Sequence, residues 1–221
     1  VKNNWDRYGD VPWIPPAFAD ENGLVGVGGA LDPPCLLRAY AEGVFPWFSD
    51  GDPILWWSPD PRAVFDIKSG LHVSRRLSRT LRSGKFAVTF NRAFGEVIRA
   101  CGDRPEGTWI THDMISAYEK LHRLRFAHSV EAWQDGELAG GIYGVALNGF
   151  FAAESMFFRR TDGSKIALVA LFDRLQERGF ELVDTQMLTE HTERMGAFEV
   201  PRERYLELLK RAIGRRGVRF D

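Results

Sequence analysis

From residue 71 onward the apolar positions fall into alternating helical and extended periods, whereas the first 62 residues hold neither period for long. A helix is expected over 74–83, with Leu77 and Leu81 as its apolar seam, then a strand over 86–90 and a helix capped by Asn91 that ends near Gly102. After Thr111 another helix is expected, with Ile115, Tyr118, Leu121 and Leu124 on one face. Strands over 128–133, 137–147 and 150–157 follow, joined at Asp135-Gly136 and Asn148-Gly149, dipeptides that accept the positive φ a tight hairpin turn needs. Ser164 is expected to cap a helix that runs to Arg178 and stops at Gly179; 181–186 reads as a strand, and Pro201 opens a last helix.

The first 62 residues are rich in Gly, Pro and aromatics, with one short helix expected over 33–42, capped by Asp32 and closed by Gly43. Within them "FPWFSDGDPILWWSPDPR" crowds Trp47, Trp56 and Trp57 between Pro46, Pro53, Pro59 and Pro61, a density that argues against a regular helix or a central strand. The chain therefore divides into a small lobe, 1–62, and a larger domain, 63–221. An antiparallel meander followed by a helix and one more strand makes the larger part α+β. It resembles the GNAT-like acyltransferase fold typified by histone acetyltransferases, with a mainly antiparallel sheet. In that fold a loop of type Q/R-x-x-G-x-G/A holds the coenzyme A pyrophosphate at a helix N-terminus. Here "RTDGSK" keeps Arg160 and Gly163 but has Lys165 at the last position. A coenzyme A-dependent N-acyltransferase is thus the alternative reading.

Composition narrows the classes. Hydrophobic residues at 44% and charged residues at 27% suit a folded globular protein, and a net charge of −1 excludes a globally basic nucleic-acid binder while leaving room for a local basic patch. No apolar run nears the roughly 20 residues needed to span a bilayer, and the stretch bearing Asp6 and Asp10 has no apolar leader core, so no membrane partner and a cytoplasmic location are expected. Cys35 and Cys101 lie far apart without metal-ligand spacing, and no metal is expected.

Two stretches bury polar groups among apolar ones. "FFAAESMFF" carries Glu154, and "ELVDTQ" carries Asp184 and Gln186, placed on one face by the strand period of two. A carboxylate in apolar surroundings needs a cation, donors or a raised pKa. The alternative is structural, with Glu154 paired to a nearby Arg and Asp184 capping a turn. "SRRLSRTLRSGK" places Arg75, Arg76, Arg79, Arg82 and Lys85 around a helix with no acid among them: a solvated face or a phosphate-binding one. His112, His122, His128 and His191 show no ligand geometry and read as structural, and "VGVGG" lacks the spacing of a phosphate loop and reads as a turn.

"FPWFSDGDPILWWSPDPRAV", "EGTWIT", "AHSVEAW", "GGIYGVALNGFFAAESMF", "GSKIAL" and "VDTQ" followed by "HTERMGA" together resemble the bacterial leucyl/phenylalanyl-tRNA protein transferases, in order and with matching spacing from about Asn22 to Tyr205. The resemblance implies transfer of Leu or Phe from aminoacyl-tRNA to the N-terminal Lys or Arg of an acceptor protein, marking it for degradation. The ester is already activated, so aminolysis needs no ATP, metal or other cofactor. By resemblance Asp184 handles the acceptor amine, by orientation rather than proton abstraction, Gln186 polarises or relays at the ester, and Glu154 attracts the cationic acceptor. The amino-acid pocket falls on Ile142, Phe151, Met156, Leu168, Leu171 and Val183; the Leu171 position is often aromatic in the family, which implies a roomier pocket here. Trp47 and Trp109 match positions around the terminal adenosine, while Trp56 and Trp57 are expected to pack the lobe onto the larger domain. The basic helix is the candidate contact to the tRNA backbone.

Overall fold

The computed structural model describes residues 11–105 and 107–221; the reading of the stretch around Asp6 and Asp10, and Glu106 of the "EGTWIT" motif, lie outside the described residues. In chain order the elements are β1 (Leu24–Val27), α1 (Pro33–Ala41), β2 (Phe45–Pro46), β3 (Leu55–Trp57), β4 (Arg62–Phe65), α2 (Arg75–Arg82), β5 (Ala87–Phe90), α3 (Phe94–Gly102) and α4 (His112–Arg123). There follow β6 (Ala127–Gln134), β7 (Glu137–Leu147), β8 (Phe150–Phe158), α5 (Gly163–Arg178), β9 (Leu182–Gln186), α6 (Glu190–Arg194), β10 (Phe198–Val200) and α7 (Arg202–Gly214).

The strands form a three-stranded sheet, β1-β3-β2, and a seven-stranded sheet, β10-β4-β9-β8-β7-β6-β5. The larger sheet is antiparallel except between β8 and β9, which run parallel. The expectation that proline excludes a central strand from 45–62 is corrected: β3 lies in the middle of the small sheet. Pro53 and Pro59 fall outside it and Pro46 lies on the edge strand β2, so β3 itself keeps every N–H it needs. "VGVGG" is likewise part strand, β1, before Gly28 and Gly29 turn at positive φ.

Two helix starts differ from expectation. Asn91 does not cap α3; it sits at φ 61° in the turn before it and accepts the Ser129 N–H through its side chain at 3.1 Å. The N-cap is Ala93, which offers no side-chain cap; its own N–H donates to buried Glu131 at 3.2 Å and so anchors the start of α3 to the sheet. At α5 the N-cap is Asp162, at φ 70°, and Ser164 lies in the first turn. The chain enters α5 pressed against β7, where a Cβ on Gly163 would lie 2.4 Å from the Ala139 carbonyl oxygen and one on Gly140 would lie 2.4 Å from the Gly163 carbonyl carbon. Backbone cannot yield as a side-chain tip does, so Gly163→Ala is expected to cost about 1–3 kcal/mol. Thermal unfolding checks this: a melting temperature lowered by several degrees is expected, and one within a degree of wild type contradicts it.

Two hydrophobic clusters cover the larger sheet. One unites β-strand residues with α3, α4 and α7 and runs without a break into the small lobe through Leu36, Tyr40, Phe45 and Trp56. The other sits under α5 and includes Ile142, Phe151, Leu168, Leu171 and Val183. Trp56 is fully buried in the first cluster, its ring centroid 4.7 Å from that of Trp13. Among the described residues no helix is long and apolar enough to cross a membrane.

Candidate functional site

The site is made by a parting of strands. β8 and β9 pair as far as Ala152 and Asp184; beyond that point β8 stays with β7 and β9 with β4. Each strand carries an irregularity there. Tyr143 faces Ser155 while Gly144 faces Ala153, so Glu154 is the extra residue of a bulge; Ala63 faces Gln186 while Val64 faces Asp184, so Thr185 is another. Bulges re-aim side chains and interrupt pairing. The result is a cavity of about 450 Å³ bounded by Ala153 to Met156 on one side and Thr185 to Met187 on the other.

Asp184 is completely buried and its four acceptor positions are filled. Arg62 donates to both oxygens, Nε to Oδ1 at 2.9 Å and Nη2 to Oδ2 at 2.6 Å; the Gln186 N–H reaches Oδ1 at 2.9 Å and the Tyr205 hydroxyl reaches Oδ2 at 2.9 Å. Arg62, 1% exposed, also donates to the Gly43 carbonyl at 3.2 Å and lies between the rings of Phe45 and Tyr205, at 4.8 and 4.4 Å. Burial is the largest single influence and opposes its charge, but the charge and hydrogen bonds of Asp184, together with Tyr205 and Glu154, more than offset it and the guanidinium pKa is raised. Gln186 is held at φ 58°, a conformation that costs a non-glycine residue of the order of 1 kcal/mol, and its N–H bond to Asp184 helps hold it there.

Glu154 stands differently. Its Oε1 accepts from Gln186 Nε2 at 3.0 Å and its Oε2 from the Tyr118 hydroxyl at 3.3 Å, and Tyr118 hydrogen-bonds in turn to the hydroxyl of Tyr40. No cation is within ion-pair distance of it among the described residues. Burial of the carboxylate, with the Asp184 charge adding to it against the tyrosine donors, pushes its pKa up to about 8. Of the two neighbouring carboxylates, Asp184 is locked in an ion pair and Glu154 is ready to exchange a proton near neutral pH.

The cavity brings together Trp47, Trp109, Ile142, Glu154, Met156, Leu168 and Gln186 of the expected site. Phe151, Leu171 and Val183 do not line it; they are buried in the same cluster as Ile142 and Leu168. Trp47 is 40% exposed and positioned by Trp57, whose indole N–H donates to the Trp47 carbonyl at 2.7 Å while the rings meet edge-on at 5.9 Å. Arg75, Arg76, Arg79, Arg82 and Lys85 are exposed on and just after α2, outside the cavity. Arg62, Arg104, Tyr40 and Tyr205 were not singled out from sequence, while His191, read there as structural, lines the cavity and Tyr118, read as part of an apolar face, bonds to Glu154. Arg62 carried one usable signal, a lone cation in the apolar run "RAVF" when a buried acid needed a partner. The tyrosines carried none, since Tyr118 reads as one more member of an apolar helix face. Among the described residues no group of three or more His, Cys, Asp or Glu is arranged to hold a metal ion.

Comparison with known proteins agrees with the motifs. A family profile described as leucyl/phenylalanyl-tRNA protein transferase matches residues 64–210, and one described as the N-terminal domain of that protein matches 29–60. The leucyl/phenylalanyl-tRNA–protein transferase of Syntrophobacter fumaroxidans is 52% identical over 205 residues, covering 90% of this chain and 87% of the relative. That of Anaeromyxobacter sp. (strain K) is 54% identical over 202 residues, covering 90% and 86%. Among solved structures, a GCN5-related N-acetyltransferase from Kribbella flavida is similar with a TM-score of 0.41 at 11% identity, covering 77% of this chain and 61% of that one. L-PGS from Bacillus licheniformis has a TM-score of 0.43 at 15% identity, covering 71% and 66%. With motifs, profile and full-length relatives in agreement, the chain belongs to the leucyl/phenylalanyl-tRNA protein transferase family.

Proposed function

We propose that the chain moves Leu or Phe from aminoacyl-tRNA to the α-amine of an N-terminal Lys or Arg of acceptor proteins in the cytoplasm, where the donor is found, marking them for degradation. The observation that carries the reading is the apolar cavity lined by two tryptophans, Trp47 and Trp109, together with Glu154 and Gln186. Trp47 and Trp109 are placed to hold the flat terminal adenosine, stacking being worth roughly 1–3 kcal/mol per base. Ile142, Met156 and Leu168 are placed to take the amino-acid side chain.

Aminolysis of the ester requires a neutral amine. An N-terminal ammonium has a pKa of about 7.7–8.0 and an ordinary Asp about 3.9, so proton transfer to an ordinary carboxylate is uphill by about 4 units, or ~5.5 kcal/mol. Transfer to a carboxylate near 8 is close to even. Glu154 is therefore the group assigned to take the amine proton and pass it toward the departing ribose oxygen. Asp184, with no acceptor position left, orients Gln186 through its backbone. Gln186 in turn holds Glu154 through its side-chain amide. We keep the division of the chain at 62/63 as part of this proposal, with the lobe supplying Trp47 and the larger domain the proton chemistry. The direct test is transfer of labelled Leu or Phe from tRNA to a peptide with N-terminal Arg; no transfer to such a peptide refutes the reading.

The basic helix supplies the contact to the tRNA backbone in this proposal. Replacing Arg76, Arg79 and Arg82 with Ala is expected to raise KM for aminoacyl-tRNA and to flatten its salt dependence by about 0.7–0.9 in log–log slope for each phosphate no longer neutralised. Activity on an aminoacyl-adenosine donor stays near wild type. Equal loss on both donors would show that the helix only supports the fold.

A further inference from the structure

A second cavity, of about 480 Å³, shares Arg104, Met156 and His191 with the first. Its remaining walls include the end of β8 and the first turn of α5, so whatever leaves the first cavity on this side enters the second. The chemistry of these walls is cationic and aromatic. Arg104 is held from behind, Nε donating to the Cys101 carbonyl and Nη2 to the Ser155 hydroxyl, both at 3.1 Å. Neither Arg104 nor Arg159 has a carboxylate within ion-pair distance among the described residues. Phe158 is 68% exposed at the end of a strand whose other end is buried. Ser164 is only 5% exposed and lines this cavity.

The acid on these walls is Asp103, against two guanidinium groups, so a cationic acceptor peptide is poorly suited and an anion with a flat ring is well suited. We propose that the second cavity binds the penultimate nucleotide of the donor's 3′ strand, its base against Phe158 and the phosphodiester that joins it to the terminal adenosine between Arg104, Arg159 and the Ser164 hydroxyl. The proposal rests on the reading of the first cavity as an aminoacyl-adenosine site. Unpaired guanidinium groups bind phosphate strongly, and an exposed aromatic ring offers a base a stacking surface without sequence readout. The path onward is built as well. Asp162, directly before α5, is tied to α2 through Thr80 Oγ1 at 3.0 Å and Arg76 at 3.7 Å, which places the basic helix beside the exit of this cavity. One continuous track thus leads from the reacting ester to the exposed arginines.

Three donors test it: the Leu ester of adenosine, of adenosine 5′-monophosphate, and of cytidylyl-(3′→5′)-adenosine, each with a peptide acceptor carrying N-terminal Arg. The expected kcat/KM rises about ten-fold or more on adding the phosphate and again on adding the cytidine. Arg159→Ala removes the first gain and Phe158→Ala the second, and both variants keep wild-type activity on the adenosine ester. Equal kcat/KM for the three donors, or variants that lower all three alike, overturns the proposal while leaving the transfer reaction standing. Failure with every donor, aminoacyl-tRNA included, overturns the reading beneath it instead.

Discussion

Truncating Arg62 to Ala is expected to cost about 3–5 kcal/mol of stability and to abolish transfer. The side chain supplies two of the four hydrogen bonds to the buried Asp184 carboxylate, and the truncation leaves that charge without its cation. The same removal frees the acid that holds Gln186 in its left-handed backbone conformation, so the site loses geometry along with stability. Because an unfolded variant would say little, the informative measurement is a double-mutant cycle in urea with Arg62→Met, Asp184→Asn and the pair. The singles are expected to be strongly destabilised and the pair to be less so than their sum, since removing both partners strands no charge. Additivity within about 0.5 kcal/mol would mean that the ion pair does not organise this site.

Glu154→Gln is expected to lower kcat by about 10²–10⁴, the usual contribution of a positioned acid–base group, with little loss of fold because Gln keeps the volume. The pH profile separates chemistry from packing. The wild-type carboxyl is protonated below its pKa of about 8 and ionised above it, so kcat at saturating acceptor should rise with pH and level off past 8. In the variant that inflection disappears; its survival would assign it to the acceptor amine and remove Glu154 from the proton path. Stability moves the opposite way. The folded protein keeps on Glu154 a proton that the unfolded chain releases above about 4.5, so this group's contribution is complete below that pH and is lost as pH rises toward 8. The wild-type melting temperature should therefore fall across that window by more than that of Glu154→Gln.

The periodic parts of the fold were legible because local signals and tertiary burial agree there. Leu121 and Tyr118 are buried where the helical period put them, and the Asn148-Gly149 turn joins β7 to β8 as its chemistry requires. The irregular parts were not. β4 is four residues long and follows a proline-dense loop, and only its long-range pairing with β9 and β10 makes it a strand. Glu154 and Gln186 were singled out by polarity, but simple alternation could not reveal that both strands bulge or that Gln186 adopts a positive φ. Asp184 was visible as a buried acid, whereas three of the four hydrogen bonds that fill it come from β4 and α7, 122 and 21 residues away. No local pattern encodes a meeting at that range.

Arg62 has one more partner, the Gly43 carbonyl of the small lobe, while its other bonds reach β9 and α7. A hinged jaw is therefore an unsuitable description of the cleft, since swinging the lobe away would first break the arginine that holds the catalytic strand. While that bond holds the lobe against the catalytic strand, the shape of the cavity does the selecting. Such shape discriminates by only about 1–3 kcal/mol per methylene, which suits an enzyme that accepts two apolar amino acids of different size rather than one.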